Sequence, residues 1–314
     1  MSFEAIIGHQ MIIKQIQDSI NSGRFSHAHL IVGEDGIGKS IIAKEIALKL
    51  LNKKENKNYV DIIEVRGARN KNSIGVDEIR EIIKEANKKP YESDKKVIII
   101  YEAHKMTTEA QNAFLKTIEE PPSGVNLILL CETIELILET IRSRCQTYKL
   151  NRLNSKEMKM YIEKKYLGLE EADIKQLIAF CEGIPGKCKS FIEDDNFKEI
   201  RNKTINILLE VCKKDRYIIK QYENFFSKYK DQWRDILSCF ISYLRDIVVY
   251  KELGNKKIVI NSDKLEEIKK LSNIYSFKEL NEFMDIINKV RNNLERRINQ
   301  ELAFDIMLLN MQEV

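Results

Sequence analysis

The chain has 314 residues, of which only 12 are Gly and 4 are Pro, against the roughly 22 and 16 that average usage would give. This scarcity argues against a β-sandwich, barrel or propeller, which need a turn roughly every 8–12 residues. The chain carries 52 basic and 48 acidic residues, and this near-balance of charge is not typical of a protein that binds DNA on its own.

The first 150 residues alternate short apolar runs with helical patterns. Several runs are almost continuously apolar, which is typical of parallel strands covered on both faces. Thr108 with Gln111 fits a capping box, and Pro121 ends the helix that follows. Strands are predicted at 29–32, 61–65, 97–101, 125–130 and 146–150, and helices at 11–22, 39–51, 76–88, 108–120 and 136–143. This alternation predicts an α/β domain with a parallel sheet over residues 1–150.

From residue 151 the strand patterns stop. Helices are predicted at 155–166, at 170–181 and from residue 187 onward, which gives a small helical domain over 151–200. The 128 residues after Gly186 contain one Gly, Gly254, and no Pro. Amphipathic stretches near 201–213, 231–252, 263–272 and 277–312 predict a larger all-helical domain over 201–314.

The strongest motif is the segment 33–40, which matches G-x-x-x-x-G-K-[ST] in full and lies between a predicted strand and a predicted helix. Its glycines allow positive φ and close backbone approach, so that N–H groups can point at a phosphate. The Lys39 ammonium would reach the terminal phosphates, and the Ser40 hydroxyl would coordinate Mg²⁺. The alternative is a chance glycine-rich turn before a helix. The predicted site for ATP or ADP with Mg²⁺ consists of Gly33, Glu34, Asp35, Gly36, Ile37, Gly38, Lys39 and Ser40.

Hydrolysis needs acids that the sequence provides only in part. The apolar strand 97–100 is followed by Tyr101 and Glu102. Glu102 stands where an acid that activates water is expected, but Tyr101 replaces the acid that holds magnesium. A phenol is neutral at pH 7 and is a poor ligand for a hard cation. We therefore expect nucleotide binding to survive and efficient hydrolysis to be lost.

Four segments in this order and spacing resemble bacterial clamp-loader subunits, which are AAA+ proteins: residues 25–40, 102–107, 110–122 and 140–145. A weaker likeness covers residues 294–309. The resemblance implies that residues 1–150 form an AAA+ P-loop domain, 151–200 a three-helix lid and 201–314 a collar that joins subunits. It implies a cytoplasmic, nucleoid-associated location. It also implies other clamp-loader subunits (gamma/tau and delta) as partners, and a sliding clamp and primed DNA through the complex.

The resemblance also gives a role to Arg144, in the segment Ser143-Arg144-Cys145. It implies that Arg144 projects into the nucleotide site of a neighbouring subunit, where a permanently charged guanidinium stabilises phosphate charge. The alternative is an ordinary surface arginine at a helix end. Glu119 and Glu120 are either a catalytic pair or a solvated helix end.

Within the family, three departures favour the delta-prime type over the ATPase type of subunit. Tyr101 is one, Gly186 stands where motor subunits carry an arginine, and the chain ends soon after the collar. Residues 51–60 contain no Cys, so no zinc is expected. The expected role is a rigid member of a heteropentamer that supplies Arg144 in trans, with Glu102 vestigial or weak.

The alternative to the delta-prime type is a gamma/tau-type motor or another AAA+ ATPase that hydrolyses its own ATP through Lys39 and Glu102. A P-loop kinase or helicase is disfavoured because segments 119–122 and 143–145 would have no role there. No apolar run approaches the ~18 residues of a membrane span, and residues 1–8 do not resemble a signal peptide, so no membrane partner is expected.

Overall fold

The chain folds into two compact units. The computed structural model describes residues 3–54, 57–67, 73–215, 217–256, 258–296 and 298–314. The first unit comprises residues 1–167 with 181–187, and the second comprises 168–180 with 188–314. The segment predicted as a lid contributes residues to both units, and the boundaries 1–150, 151–200 and 201–314 stay a prediction. None of the helices in these described ranges has the length and apolar character needed to span a membrane.

The first unit is built on a five-stranded parallel sheet, which confirms the predicted α/β fold. Its strands are β1 (Ala28–Val32), β2 (Ile62–Val65), β3 (Lys96–Ile100), β4 (Val125–Cys131) and β5 (Gln146–Lys149). They lie in the spatial order β2-β3-β4-β1-β5, and every pair is parallel. All residues of β1, β3 and β4 are buried, because helices cover both faces of the sheet.

The helices of the first unit divide between the two faces of the sheet. They are α1 (Gln10–Asn21), α2 (Lys39–Leu50), α3 (Val76–Ala86), α4 (Thr108–Glu119), α5 (Glu139–Arg142) and α6 (Ser155–Lys165). Ile79 of α3 and Phe114 of α4 belong to the core on one face. Ile16 of α1 and Ile46 of α2 belong to the core on the other. Helix α2 thereby holds its first turn against the end of β1.

The helix predicted over 136–143 is wrong in extent. A 3₁₀ turn covers Ile134–Leu136, and α5 covers only Glu139–Arg142. The buried side-chain amide of Gln111 explains the difference. Its Nε2 donates to the Leu136 carbonyl at 2.9 Å, and its Oε1 accepts from the Leu138 N–H at 2.8 Å. Backbone groups bound in this way are not available to a continuous helix.

The beginning of α4 also differs from the prediction. Thr107, not Thr108, is the N-cap residue, and its side-chain oxygen accepts from the Ala110 N–H at 3.2 Å. Thr107 has extended backbone, as a cap requires, whereas Thr108 is already the first helical residue. The capping pair of Thr108 with Gln111 is therefore wrong, and Gln111 serves the loop before α5 instead.

The described residues after 150 form helices and no strand, which confirms the predicted helical C-terminal part. Beyond α6 these are α7 (Glu171–Cys181), α8 (Pro185–Glu193), α9 (Asp195–Val211), α10 (Ile218–Lys228), α11 (Trp233–Leu253), α12 (Leu265–Ile274), α13 (Phe277–Glu295) and α14 (Gln300–Glu313). Phe240, Tyr243, Phe283 and Phe304 are each at most 1% exposed in the core of the second unit. The stretch predicted over 277–312 is two helices, because the Asn299 side chain caps α14 by accepting from the Leu302 N–H.

Buried His29 lies on β1, between β4 and the edge strand β5. Its Nε2–H donates to the Ser26 carbonyl at 2.7 Å, and its ring stacks on Phe25 with the ring centroids 3.8 Å apart. Its Nδ1 has no hydrogen-bond partner among the described residues. Protonation would bury a charge there, and burial accordingly lowers the pKa of His29 to about 4.

Thr107→Ala is expected to lower the free energy of unfolding by about 1 kcal/mol, because the Ala110 N–H loses its acceptor. Thr108→Ala is the matched control and should change it by less than about 0.5 kcal/mol, since Thr108 is exposed. Urea unfolding followed by circular dichroism measures both. Equal losses in the two variants would contradict the assignment of Thr107 as the cap.

His29→Phe is expected to weaken the loss of stability on acidification. The unfolded chain binds a proton at His29 below pH 6.5, whereas the folded chain does so only near pH 4. Folding stability therefore falls as pH drops from 6.5 to 4, by up to about 1.4 kcal/mol per pH unit from this residue. Urea unfolding at several pH values measures how the free energy of unfolding changes with pH. An unchanged pH dependence in the variant would contradict the assignment of this effect to His29.

Candidate functional site

Three chain segments meet at one edge of the sheet, where the parallel strands end. Segment 33–38 follows β1, Tyr101 and Glu102 follow β3, and Glu132 follows β4. Strand β4 lies between β1 and β3. The Gly33 N–H donates to the Cys131 carbonyl at 3.1 Å, which continues the pairing of β1 with β4 into the loop. Ligands of open parallel sheets bind at this edge, so the arrangement places the predicted site residues where a ligand is expected.

The loop formed by segment 33–40, called the phosphate loop after its motif, depends on its glycines in two different ways. Gly36 and Gly38 have φ of 77° and 110°, which side-chain-bearing residues rarely adopt. Gly33 does not have positive φ, contrary to the expectation. It is needed for space, because a Cβ there would lie 2.9 Å from the Leu150 carbonyl oxygen. A Cβ on Gly38 would meet nothing within 4 Å, so the space beside this glycine is open.

Lys39 begins α2 and bends back over the loop. Its Nζ donates to the Gly33 carbonyl at 2.7 Å and to the Glu34 carbonyl at 2.9 Å. Ser40, also half-buried, follows in the first turn of the helix. Ile37 is buried beneath the loop, whereas Asp35 is exposed. The loop thus presents an ammonium group, a hydroxyl and a helix N-terminus, the chemistry that a phosphate chain requires.

Several acids lie near Lys39, and the sequence analysis missed one of them. Burial lowers the pKa of Lys39, while the negative charges of Glu132, Asp35 and Glu102 oppose that shift, with Glu132 the strongest. Glu132 follows β4, and its backbone N–H donates to His104 Nδ1 at 3.3 Å. No local motif marks Glu132, because its position depends on the pairing of β4 with β1. These carboxylates partly neutralise the charge that Lys39 offers to a phosphate.

Tyr101 is held away from any role as a metal ligand. Its hydroxyl donates to Glu64 Oε2 at 2.8 Å, and the Arg66 guanidinium lies 3.9 Å from its ring centroid. Burial, and then the bond to Glu64, raises the pKa of Tyr101 to about 12, so the phenol is neutral at pH 7. Glu64 also pairs with Lys44 of α2 at 2.8 Å. Tyr101 therefore links β3 to β2 and α2 through a charged network.

Glu102 lies beside the phosphate loop, but its carboxylate already has a partner. Its Oε1 is 2.6 Å from Lys105 Nζ, and its backbone is left-handed with φ of 50°. Among the described residues, no group of three or more His, Cys, Asp and Glu side chains forms a candidate metal cluster. Residues 55 and 56, within the segment where no zinc module was expected, lie outside the described residues.

Arg152 contacts the loop and was also missed by the sequence analysis. Its Nε and Nη2 donate to the two carboxylate oxygens of Glu34 at 2.6 and 2.8 Å. These bonds hold the pKa of Glu34 below its usual range. Arg152 Nη1 also donates to Glu182 Oε2 at 3.3 Å. The partners are 118 residues apart in the chain, so that spacing alone could not reveal the pair.

Gly186 packs directly on the phosphate loop. Its N–H donates to the Gly36 carbonyl at 2.9 Å, and a Cβ at 186 would lie 2.6 Å from the Gly36 Cα. A residue with a side chain fits here only if the loop backbone moves. The arginine that motor subunits are expected to carry at this position therefore has no space in this chain.

Arg144 is not part of this arrangement. It follows α5, and its guanidinium Nε lies 2.6 Å from Glu119 Oε1 at the end of α4. Its Nη1 donates to the Thr140 carbonyl at 2.9 Å, and its side chain is 40% exposed. Within the described residues it makes no hydrogen bond or ion pair with segment 33–40.

Two family models match most of the chain. One, described as DNA polymerase III, delta subunit, matches residues 8–154, and the other, described as the C terminal part of the delta subunit, matches residues 195–313. The first match contains the phosphate loop, and the second contains the helices from α9 onward. The chain belongs to the clamp-loader subunit family of DNA polymerase III. This confirms the resemblance at the level of the family.

Relatives within this family include different subunit types. DNA polymerase III subunit gamma of Buchnera aphidicola subsp. Schizaphis graminum is 27% identical, over 98% of this chain and 94% of the relative. Subunit tau of Bacillus subtilis is 27% identical over 98% of this chain and 61% of its own. Subunit delta' of Bacillus subtilis is 26% identical, over 96% of this chain and 95% of the relative. These nearly equal identities do not separate the delta-prime type from the gamma/tau type.

The fold also has a solved counterpart. A DNA polymerase III gamma subunit-related protein of Thermotoga maritima aligns with 95% of this chain and 99% of its own, with a TM-score of 0.53 at 18% identity. At this identity the likeness concerns the fold alone. It agrees with the AAA+ fold expected from the sequence.

Gly186→Ala is expected to destabilise the first unit by about 1–3 kcal/mol, because the added methyl group overlaps the Gly36 backbone. The control is Lys187→Ala next to it. That side chain is 31% exposed and pairs loosely with Glu182 at 3.7 Å, so its loss should cost less than about 0.5 kcal/mol. Thermal unfolding compares the two variants. A Gly186→Ala protein with the wild-type Tm would refute the close contact between Gly186 and Gly36.

Proposed function

We propose that this chain is a delta-prime-type subunit of a DNA polymerase III clamp loader. It binds ATP or ADP at Gly33–Ser40 without hydrolysing it efficiently, and it supplies Arg144 to nucleotide bound by the adjacent subunit. Its partners are the gamma/tau and delta subunits of a heteropentamer, and through the complex a sliding clamp and primed DNA. Its location is the cytoplasmic replisome.

The observation that carries this proposal is the hydrogen bond from Tyr101 to Glu64. A hydrolytic P-loop site needs a carboxylate after the second apolar strand to hold the magnesium ion. Here that position is a neutral phenol whose hydroxyl hydrogen is committed to Glu64 at 2.8 Å. The remaining acid, Glu102, is paired with Lys105. Removing the charged ligand disfavours Mg²⁺ at the place where the transferred phosphoryl group needs it.

Nucleotide binding itself fits the residues present. Open space beside Gly38, the ammonium of Lys39 and the first turn of α2 suit a phosphate chain. When nucleotide binds, Lys39 Nζ would exchange its hydrogen bonds to the Gly33 and Glu34 carbonyls for bonds to phosphate oxygens. The Ser40 hydroxyl would be a ligand for magnesium bound with the nucleotide. The magnesium ion would supply charge neutralisation for the phosphates. Glu132 beside Lys39 lowers the affinity for an anion.

The place of Arg144 supports a role in trans. Its guanidinium lies on the Glu119 end of α4, has no contact with the chain's own phosphate loop among the described residues, and remains 40% exposed. A guanidinium keeps its charge at every physiological pH and forms paired bonds with phosphate oxygens. Such a group serves an adjacent site when subunits assemble.

A motor subunit of the gamma/tau type is the second candidate. The complete motif from Gly33 to Ser40 and the position of Glu102 favour it, and relatives named gamma and tau are as similar as the one named delta'. A motor would hydrolyse ATP as an isolated chain, and Lys39→Ala would abolish that turnover. The delta-prime type would bind nucleotide without steady turnover.

The test is assembly followed by ATPase assay. The chain should co-purify with its organism's other clamp-loader subunits, and the complex should hydrolyse ATP when primed DNA and clamp are added. Arg144→Ala should leave assembly intact and lower that rate by about tenfold or more, since a trans arginine stabilises the transition state.

Arg80→Ala is the control, because Arg80 is an exposed arginine paired only with Asp77 at 3.2 Å among the described residues. It should leave the rate unchanged. An Arg144→Ala complex as active as the wild type would refute the trans role.

A further inference from the structure

Glu119 pairs with Arg144, the arginine that the proposed function places at the nucleotide site of the neighbouring subunit. Its Oε1 lies 2.6 Å from Arg144 Nε, although Glu119 ends α4 and Arg144 follows α5, 25 residues later in the chain. The sequence left Glu119 and Glu120 as a catalytic pair or a solvated helix end. Glu119 is the last residue of α4 and is exposed, as a solvated helix end would be, and its carboxylate in addition pairs with a guanidinium. Glu120 is exposed, and its side chain makes no ion pair or hydrogen bond with the described residues.

The contacts of Arg144 fix the direction of its side chain. Nε is bound to Glu119, and Nη1 donates to the Thr140 carbonyl at 2.9 Å and to Ser143 Oγ at 3.3 Å. A guanidinium has five N–H donors in one plane. Those on Nη2 have no partner among the described residues. The bound groups therefore hold two nitrogens and leave the third for a ligand.

Such anchoring matters because a free arginine side chain samples many rotamers, which must be given up when it meets a phosphate. A side chain already held at Nε and Nη1 loses less freedom at that step. Small errors in the position of a group that stabilises a transition state cost large factors in rate. The carboxylate also does not have to leave, since the Nη2 donors are separate from the Nε contact.

We propose that Glu119 is a positioning residue for Arg144, which it orients so that the Nη2 edge meets the phosphates of nucleotide in the adjacent subunit. This inference rests on the trans role of Arg144 proposed above. The opposite effect would follow if Glu119 competed with the phosphate for the guanidinium. The sites of contact favour orientation, because the ion pair is made at Nε and the Nη2 donors have no partner within the described part of the chain.

The test uses the assembled complex with clamp and primed DNA. Glu119→Ala should lower kcat for ATP about tenfold and leave KM for ATP within about twofold, because the arginine contact is made in the transition state. Glu119→Gln keeps the length of the side chain but removes the charge that pairs with the guanidinium, so its kcat should lie between those of Glu119→Ala and the wild type. Glu120→Ala, the neighbouring control, should equal the wild type. Gel filtration and circular dichroism establish that each variant assembles and folds.

A double substitution separates positioning from a structural role. In the Arg144→Ala background, Glu119→Ala should cause no further loss, because the group that it orients is gone. An equal further loss in that background would overturn the proposal, and so would a rise in kcat in Glu119→Ala alone. If Arg144→Ala lowers kcat and Glu119→Ala does not, the positioning role fails and the trans role stands. If Arg144→Ala has no effect, both fail.

Discussion

Parallel pairing of five strands, buried on both faces, is the constraint on which the rest of this molecule depends. Parallel strands end at a common edge, and here the loops after β1, β3 and β4 meet there. That meeting places Lys39, Glu102 and Glu132 near one another although they are far apart in the chain. The apolar faces fix the sheet, so the loops carry the chemical differences between one subunit type and another.

At that edge the motif of segment 33–40 is complete, whereas the position after β3 is a tyrosine. Lys39 and the glycines of the loop are in place, whereas the position after β3 has become part of a network that joins Tyr101 to Glu64 and Lys44. The network ties β3, β2 and α2 together, so Tyr101 has a structural role at this edge of the sheet.

What the sequence could predict was local. The phosphate loop, the apolar strands and the helical second half depend on residues close together in the chain, and all were predicted. The cap of α4 lies one residue earlier than predicted because Thr107 and Thr108 are chemically alike and only backbone geometry separates them. The partners of Arg152 and Arg144 stayed hidden, since each pair brings together residues from different elements.

The contact between Gly36 and Gly186 makes two distant positions of the chain depend on each other. Neither glycine can be replaced alone. A Cβ at position 186 would lie 2.6 Å from the Gly36 Cα, and Gly36 itself has φ of 77°, which side-chain-bearing residues rarely adopt. A side chain at position 186 would therefore require a displaced backbone at Gly36. A homologue with a side chain at position 186 is thus expected to have a different loop conformation at position 36.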